Sequence, residues 1–234
     1  MAIIVPTSSI EIFRQALDAL NREQVSYAIG GAFAMNHYTG MSRNTNDLDI
    51  YIQRSDLQTA LRVLHSTGFL DSGEMAAGDR EWIYHAKKNG VMVDLIWQSP
   101  NHMNCLDETF SLRAVPGSFL DRPAKFLPAD SLIWTKVFTI NRGRCDWPDI
   151  FNIVRAKPDS LDWGFLVEKI GDNWPVMLSF VLLFDWVYPG EREAIPDEVR
   201  NDLFARKREA VPLSSGSTRE SLLDPWLYSR PVLP

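Results

Sequence analysis

The chain has 234 residues, 45% of them hydrophobic, which is enough to bury one good core or two small ones. Its 24 basic and 30 acidic residues leave a formal net charge of -6, which argues against broad nucleic-acid binding, since that relies on many lysine and arginine contacts to phosphate. Cys105 and Cys145 form no Cys-x-x-Cys, so neither a zinc site nor a disulfide framework is indicated, and two thiols suit a reducing cytoplasm. The first residues, Met1-Ala2-Ile3-Ile4-Val5-Pro6, lack the basic start and long apolar run of a secretory signal.

In chain order, Ser8 or Ser9 is expected to cap an amphipathic helix running to about Asn21, with Ile10, Phe13, Leu17 and Leu20 on one face. Val25-Ser26-Tyr27-Ala28-Ile29 reads as a short strand running into Gly30-Gly31 and a helix over residues 32–37. A strand, two glycines and a helix start form a place where phosphate oxygens meet backbone N–H groups and the positive end of a helix dipole. The pair alone is weak evidence, since most Gly-Gly pairs are only turns.

The next strand carries the most informative residues. In Asp47-Leu48-Asp49-Ile50-Tyr51-Ile52 the apolar positions alternate with Asp47, Asp49 and Tyr51, so both acids share one face. Residues two apart on a strand are roughly 6.5 to 7 Å apart, close enough for both carboxylates to reach one divalent cation or two adjacent ones. Taken alone, such a pair is more often two solvated acids on a wet face. The preceding glycines, and Arg43 between the two motifs, move the reading toward a metal and nucleotide site.

Ser55 is expected to cap a helix over residues 56–65, closed by Gly68. Residues 81–86 and 91–97 form strand-like runs around Asn89-Gly90, a strong hairpin signal. This hairpin puts Asp94 inside Val-Met-Val-Asp-Leu-Ile-Trp, where an unpaired carboxylate would cost several kcal/mol to bury. Asp94 should therefore face a cleft, a cation or a donor, unless the strand lies at an edge with Asp94 in water. His37, His65, His85 and His102 show no close ligand spacing and receive no role.

Residues 98–128, with Pro100, Pro116, Gly117 and Pro123, read as short strands and loops. Helical patterns follow over residues 131–140, 148–156, 163–170, 175–188 and 196–209, and the apolar stretch 174–188 is broken by Asp185 and too short to span a bilayer. Asp146, followed by Pro148, fits a helix N-cap. Arg200, Arg206, Lys207 and Arg208 cluster near one helix end, a pattern that is usually a solvated face. The expected organisation is α+β: a mixed sheet with flanking helices over residues 1–126, a helical domain over 127–210 and an extended tail over 211–234. The tail's Trp226 and Tyr228 are expected to dock on its own domain or on a second copy, giving a homodimer.

Gly30-Gly31, Asp47-x-Asp49 and Asp94, in that order, resemble the nucleotidyltransferase superfamily, whose fold is shared by polymerase-beta-like enzymes, antibiotic nucleotidyltransferases and AbiEii-type toxins. Within it the chain looks most like AbiEii-type and related uncharacterised bacterial proteins, through Leu127 to Lys136 and Cys145 to Ile150. The resemblance covers roughly residues 25–155, and the ordering is more specific than any one motif. It implies magnesium or manganese held by Asp47, Asp49 and Asp94, with Asp94 helping to deprotonate an incoming hydroxyl. Gly30, Gly31, Arg43 and Lys136 would contact the NTP, and Asp149 would partner Lys136 or an arginine. A solvated helix position is the competing reading of Lys136. The implied reaction moves a nucleoside monophosphate from an NTP to a hydroxyl of a small molecule, a tRNA end or a protein. A catalytically silent nucleotide- or partner-binding module of the same fold is the alternative.

Overall fold

A computed structural model describes residues 5–41, 44–73, 79–100, 102–141 and 143–209, together with Arg219 and Leu222. The chain divides into two compact units, Met1–Leu132 and Ile133–Pro234.

In the first unit, α1 (Thr7–Arg22) buries Phe13, Leu17 and Leu20 on one stripe, with Ile12 and Ala16 beside them. The helix starts immediately after Pro6, whose fixed φ is already suited to a helix entrance. Ser8 and Ser9 therefore lie within the first turn instead of capping it, and Ser9 is buried. The chain then forms β1 (Ala28–Ile29), α2 (Gly31–Thr39) and β2 (Asp47–Tyr51). A short 3-10 turn, Arg54–Asp56, precedes α3 (Leu57–Ser66); Ser55 sits in that turn and no side chain caps the helix. Leu57, Ala60, Val63 and Leu64 form the buried face of α3.

β3 (Leu70–Asp71), β4 (Ile83–Lys88) and β5 (Val91–Ile96) follow. The β4–β5 turn has positive φ at both Asn89 and Gly90, 48° and 83°, the requirement of a two-residue turn that matches strand twist. Residues 98–128 hold a helix the sequence reading missed, α4 (Glu108–Arg113), whose Asp107 cap accepts the Thr109 N–H at 3.0 Å. A hairpin of β6 (Val115–Phe119) and β7 (Arg122–Phe126) completes the sheet, and Pro116 is accommodated because β6 is an edge strand.

Among the described residues the sheet has the order β3-β4-β5-β2-β1-β7-β6, with β2 parallel to β5 and β1 parallel to β7, and with the remaining neighbours antiparallel. The architecture is thus a mixed α+β sheet with helices. β5 lies in the interior of the sheet, between β4 and β2, not at an edge.

α5 (Ala129–Lys136) runs from the first unit into the second and stops at Lys136, four residues short of the expected end. The second unit continues with α6 (Trp147–Ala156), α7 (Trp163–Ile170), α8 (Trp174–Val187) and α9 (Asp197–Arg208). Phe151, Phe180, Phe184 and Tyr188 pack ring to ring, with Phe151 and Phe180 centroids 4.8 Å apart. Arg200 does not belong to a solvated basic patch. It is 2% exposed and forks onto Asp185, with Nη2 donating to Oδ1 at 2.6 Å and Nε to Oδ2 at 3.1 Å. Most of the tail lies outside the described residues; Leu222 is buried, and Arg219 Nε donates to Asn173 Oδ1 at 3.1 Å within the second unit. Among the described residues no helix is long and apolar enough to cross a membrane.

Candidate functional site

The alternation in β2 is realised residue by residue: Leu48 and Ile50 are fully buried, whereas Asp47, Asp49 and Tyr51 turn to the other face and are partly exposed. The parallel register sets Asp49 directly opposite Asp94 on β5. One carboxylate oxygen from each of Asp47, Asp49 and Asp94 lies within 4.8 Å of the other two. Two neighbouring strands therefore bring the Asp47 and Asp49 pair to Asp94, which is distant in sequence.

Gly30 and Gly31 fit against these acids. The Gly30 N–H donates to the Asp49 backbone carbonyl at 3.0 Å, and the Gly30 carbonyl accepts from Ala34 N–H at 3.0 Å, joining β2 to the start of α2. Gly31 has φ +51°, and a Cβ built on it would stand 1.6 Å from Asp49 Oδ2. Only glycine lets the backbone run this close to the carboxylate in that conformation. At Gly30 a Cβ would run into the Tyr51 ring, 2.2 Å from Cε2.

Each of two acids has a neighbour on its flank. Thr45 Oγ1 donates to Asp47 Oδ1. His85, paired with Asp94 across the β4–β5 ladder, brings Nδ1 to 2.7 Å from Asp94 Oδ1. Asp94 is only 6% exposed, and this burial pushes its carboxyl above the usual carboxylate range. The His85 hydrogen bond and charge oppose that rise, and the nearby Asp47 carboxylate adds to it.

Three carboxylates offering hard oxygen ligands at this spacing suit magnesium or manganese, because their mutual repulsion is relieved by a divalent cation between them. The space left by the missing Gly31 side chain keeps Asp49 in that arrangement. The donor set and the cradle both fit such an ion.

Of the residues singled out in the sequence, Gly30, Gly31, Asp47, Asp49 and Asp94 meet at this one place. Arg43 lies outside the described residues. Lys136 and Asp149 belong to a cluster in the second unit. There Lys136, buried and not a solvated helix residue, donates to Asp146 Oδ2 at 2.6 Å and to Asp149 Oδ2 at 3.2 Å. Asp146 stands before the first residue of α6 but does not cap it. Its carboxylate turns instead to Lys136 and to Arg144, which donates through Nε at 2.9 Å and Nη2 at 2.8 Å, because charged donors outbid neutral backbone N–H groups. Burial alone would raise the Asp146 carboxyl, but these hydrogen bonds and charges hold it below the usual range.

His85 is the residue that sequence reasoning passed over. The signal was available: with Lys88 and Val91 flanking the Asn-Gly turn, counting outward three residues on each strand sets His85 opposite Asp94. A search for ligand spacing among histidines does not see a histidine that touches a carboxylate.

No model of a known protein family matches the chain, and no curated protein matches it in sequence. Among solved structures, the antibiotic-resistance factor ANT(2'')-Ia is similar at 13% identity and a TM-score of 0.48, over 81% of this chain and 100% of that one. The lincosamide antibiotic adenylyltransferase LnuA, in its lincomycin-bound form, is similar at 15% identity and a TM-score of 0.43, over 63% of this chain and 96% of that one. JHP933 from Helicobacter pylori is similar at 12% identity and a TM-score of 0.42, over 94% of this chain and 89% of that one.

Proposed function

We propose that the chain is a nucleotidyltransferase that moves a nucleoside monophosphate from an NTP to a hydroxyl acceptor, with magnesium or manganese held by Asp47, Asp49 and Asp94. The observation that carries this reading is the register of Asp49 against Asp94, with Asp47 on the same face and all three carboxylates within 4.8 Å of one another.

Asp47, Asp49 and Asp94 would hold the divalent cation, which would neutralise negative charge on the triphosphate oxygens. The Gly30-Gly31 turn supplies the N-terminus of α2, where free N–H groups favour phosphate oxygens. The acceptor oxygen attacks the α-phosphorus, the bond to the bridging oxygen breaks, and pyrophosphate leaves. Asp94 takes the hydroxyl proton. Arg43 is a proposed cationic contact to the triphosphate. The segments Leu127 to Lys136 and Cys145 to Ile150 are what support a relation to AbiEii-type proteins. The acceptor is a small molecule, a tRNA end or a protein side chain.

The deciding experiment is calorimetric titration of the protein with each NTP, with and without magnesium, beside Asp49→Asn. Binding that needs magnesium and vanishes in the variant supports the reading. NTP binding indifferent to both magnesium and Asp49 would remove the acids from the site.

A further inference from the structure

Asp49, Asp94 and His85 stand in one row across three adjacent strands, since β2 pairs with β5 at Asp49 and Asp94 and β5 pairs with β4 at Asp94 and His85. His85 therefore reaches Asp94 from the flank opposite the one on which Asp49 stands. Its Nδ1 is 2.7 Å from Asp94 Oδ1, a length typical of a charge-assisted hydrogen bond. A carboxylate that holds a cation is ionised and only accepts, so with the proposed ion bound the shared proton belongs on Nδ1.

The contact answers a physical need. The last torsion of an aspartate is broad, with no sharp rotamer well to hold the carboxylate plane. Asp94 also faces two like charges, Asp47 and Asp49, which would turn its carboxylate away from them. Among the described residues, Asp47 has its own hydroxyl anchor in Thr45, and His85 is the corresponding anchor of Asp94. The histidine is mostly buried, with its side chain 20% exposed, on a strand whose register is set by the tight Asn89-Gly90 turn.

We propose that His85 is a positioning residue for the cation site: by donating from Nδ1 it fixes the plane of the Asp94 carboxylate, so that the three acids converge on one divalent ion. This rests on the metal reading given above. Hydrogen-bond partners of ligating carboxylates orient the ligand, and their loss weakens metal binding by roughly 10- to 100-fold.

The test is titration of the full chain with Mn2+ alone, followed by electron paramagnetic resonance of the free ion, with thermal melting run beside it. His85→Phe keeps an aromatic ring but has no donor; His85→Asn carries its amide nitrogen the same number of bonds from the backbone as Nδ1. The expected result is Mn2+ affinity lowered about 10- to 100-fold in His85→Phe at an unchanged melting temperature, with most of the loss recovered in His85→Asn. His85→Leu, also donorless and smaller, replaces His85→Phe should the latter fail to fold. Unchanged affinity in the donorless variant overturns the proposal, as does equal weakening in His85→Asn. Asp49→Asn separates the two readings: if the parent binds Mn2+ and Asp49→Asn does not, the metal site stands whatever His85 does. If the parent takes up no Mn2+, both fall.

Discussion

Gly31 shows how much one missing methyl group can decide. Its φ of +51° is costly for any residue with a Cβ, and that Cβ would also stand 1.6 Å from Asp49 Oδ2. Gly31→Ala should therefore lose about 1–2 kcal/mol from backbone strain and, separately, lose Mn2+ binding as Asp49 is displaced. Gly40→Ala is the matched control: its φ is +68°, but nothing lies within 4 Å of the added carbon. It should lose comparable stability in chemical denaturation and bind Mn2+ like the parent. If both variants bind alike, Gly31 is only a turn residue. The two glycines were legible as a turn from strand to helix, but the closeness of Gly31 to Asp49 was not, because no local rule says which strand will cross a turn.

At the scale of elements, strand periodicity and turn chemistry were read well and helix ends less so. β2 follows alternation, and β4 and β5 follow the Asn89-Gly90 turn between two apolar runs, which are local properties. Ser8, Ser9, Ser55 and Asp146 all have the chemistry of caps, yet none of them caps a helix, since Pro6 fixes one entrance, a 3-10 turn another, and the Asp146 carboxylate has charged partners. Arg200 is a similar case on α9, a residue that reads as surface charge and is a buried tie to α8. It also donates to the Arg192 carbonyl at 2.6 Å and to the Ile195 carbonyl. Arg200→Met should cost about 3 kcal/mol in urea unfolding, the lower end of the range for breaking a buried pair, because Asp185 keeps some solvent. Arg200→Lys should recover little, as a lysine cannot fork onto both carboxylate oxygens. Full recovery by lysine would mean that charge alone holds the helices.

For the whole molecule, the acidic balance of the chain makes acid the informative stress. Asp146 is held below its ordinary range in the folded protein, so its contribution is present above the unfolded carboxylate pKa of about 4 and is lost as the pH falls through the lower folded value. Asp146→Asn should melt lower than the parent at pH 7, and the gap should close as the pH is taken down through and below about 4. A gap independent of pH would show that the Asp146 charge does not matter to the fold.

The sequence by itself determined the strand faces, the order of the glycines and acids and the two-residue hairpin turn, because side-chain alternation and turn dihedrals are set by near neighbours. From these came the α+β class and the three acids worth watching. Tertiary structure decided that β2 lies beside β5, so that Asp47 and Asp49 meet Asp94, and that β4 brings His85 to the same carboxylate. It decided too that Lys136 is buried between Asp146 and Asp149 and is not a solvated helix residue. Strand order and burial depend on how segments distant in sequence pack within each unit, which no window of neighbouring residues contains.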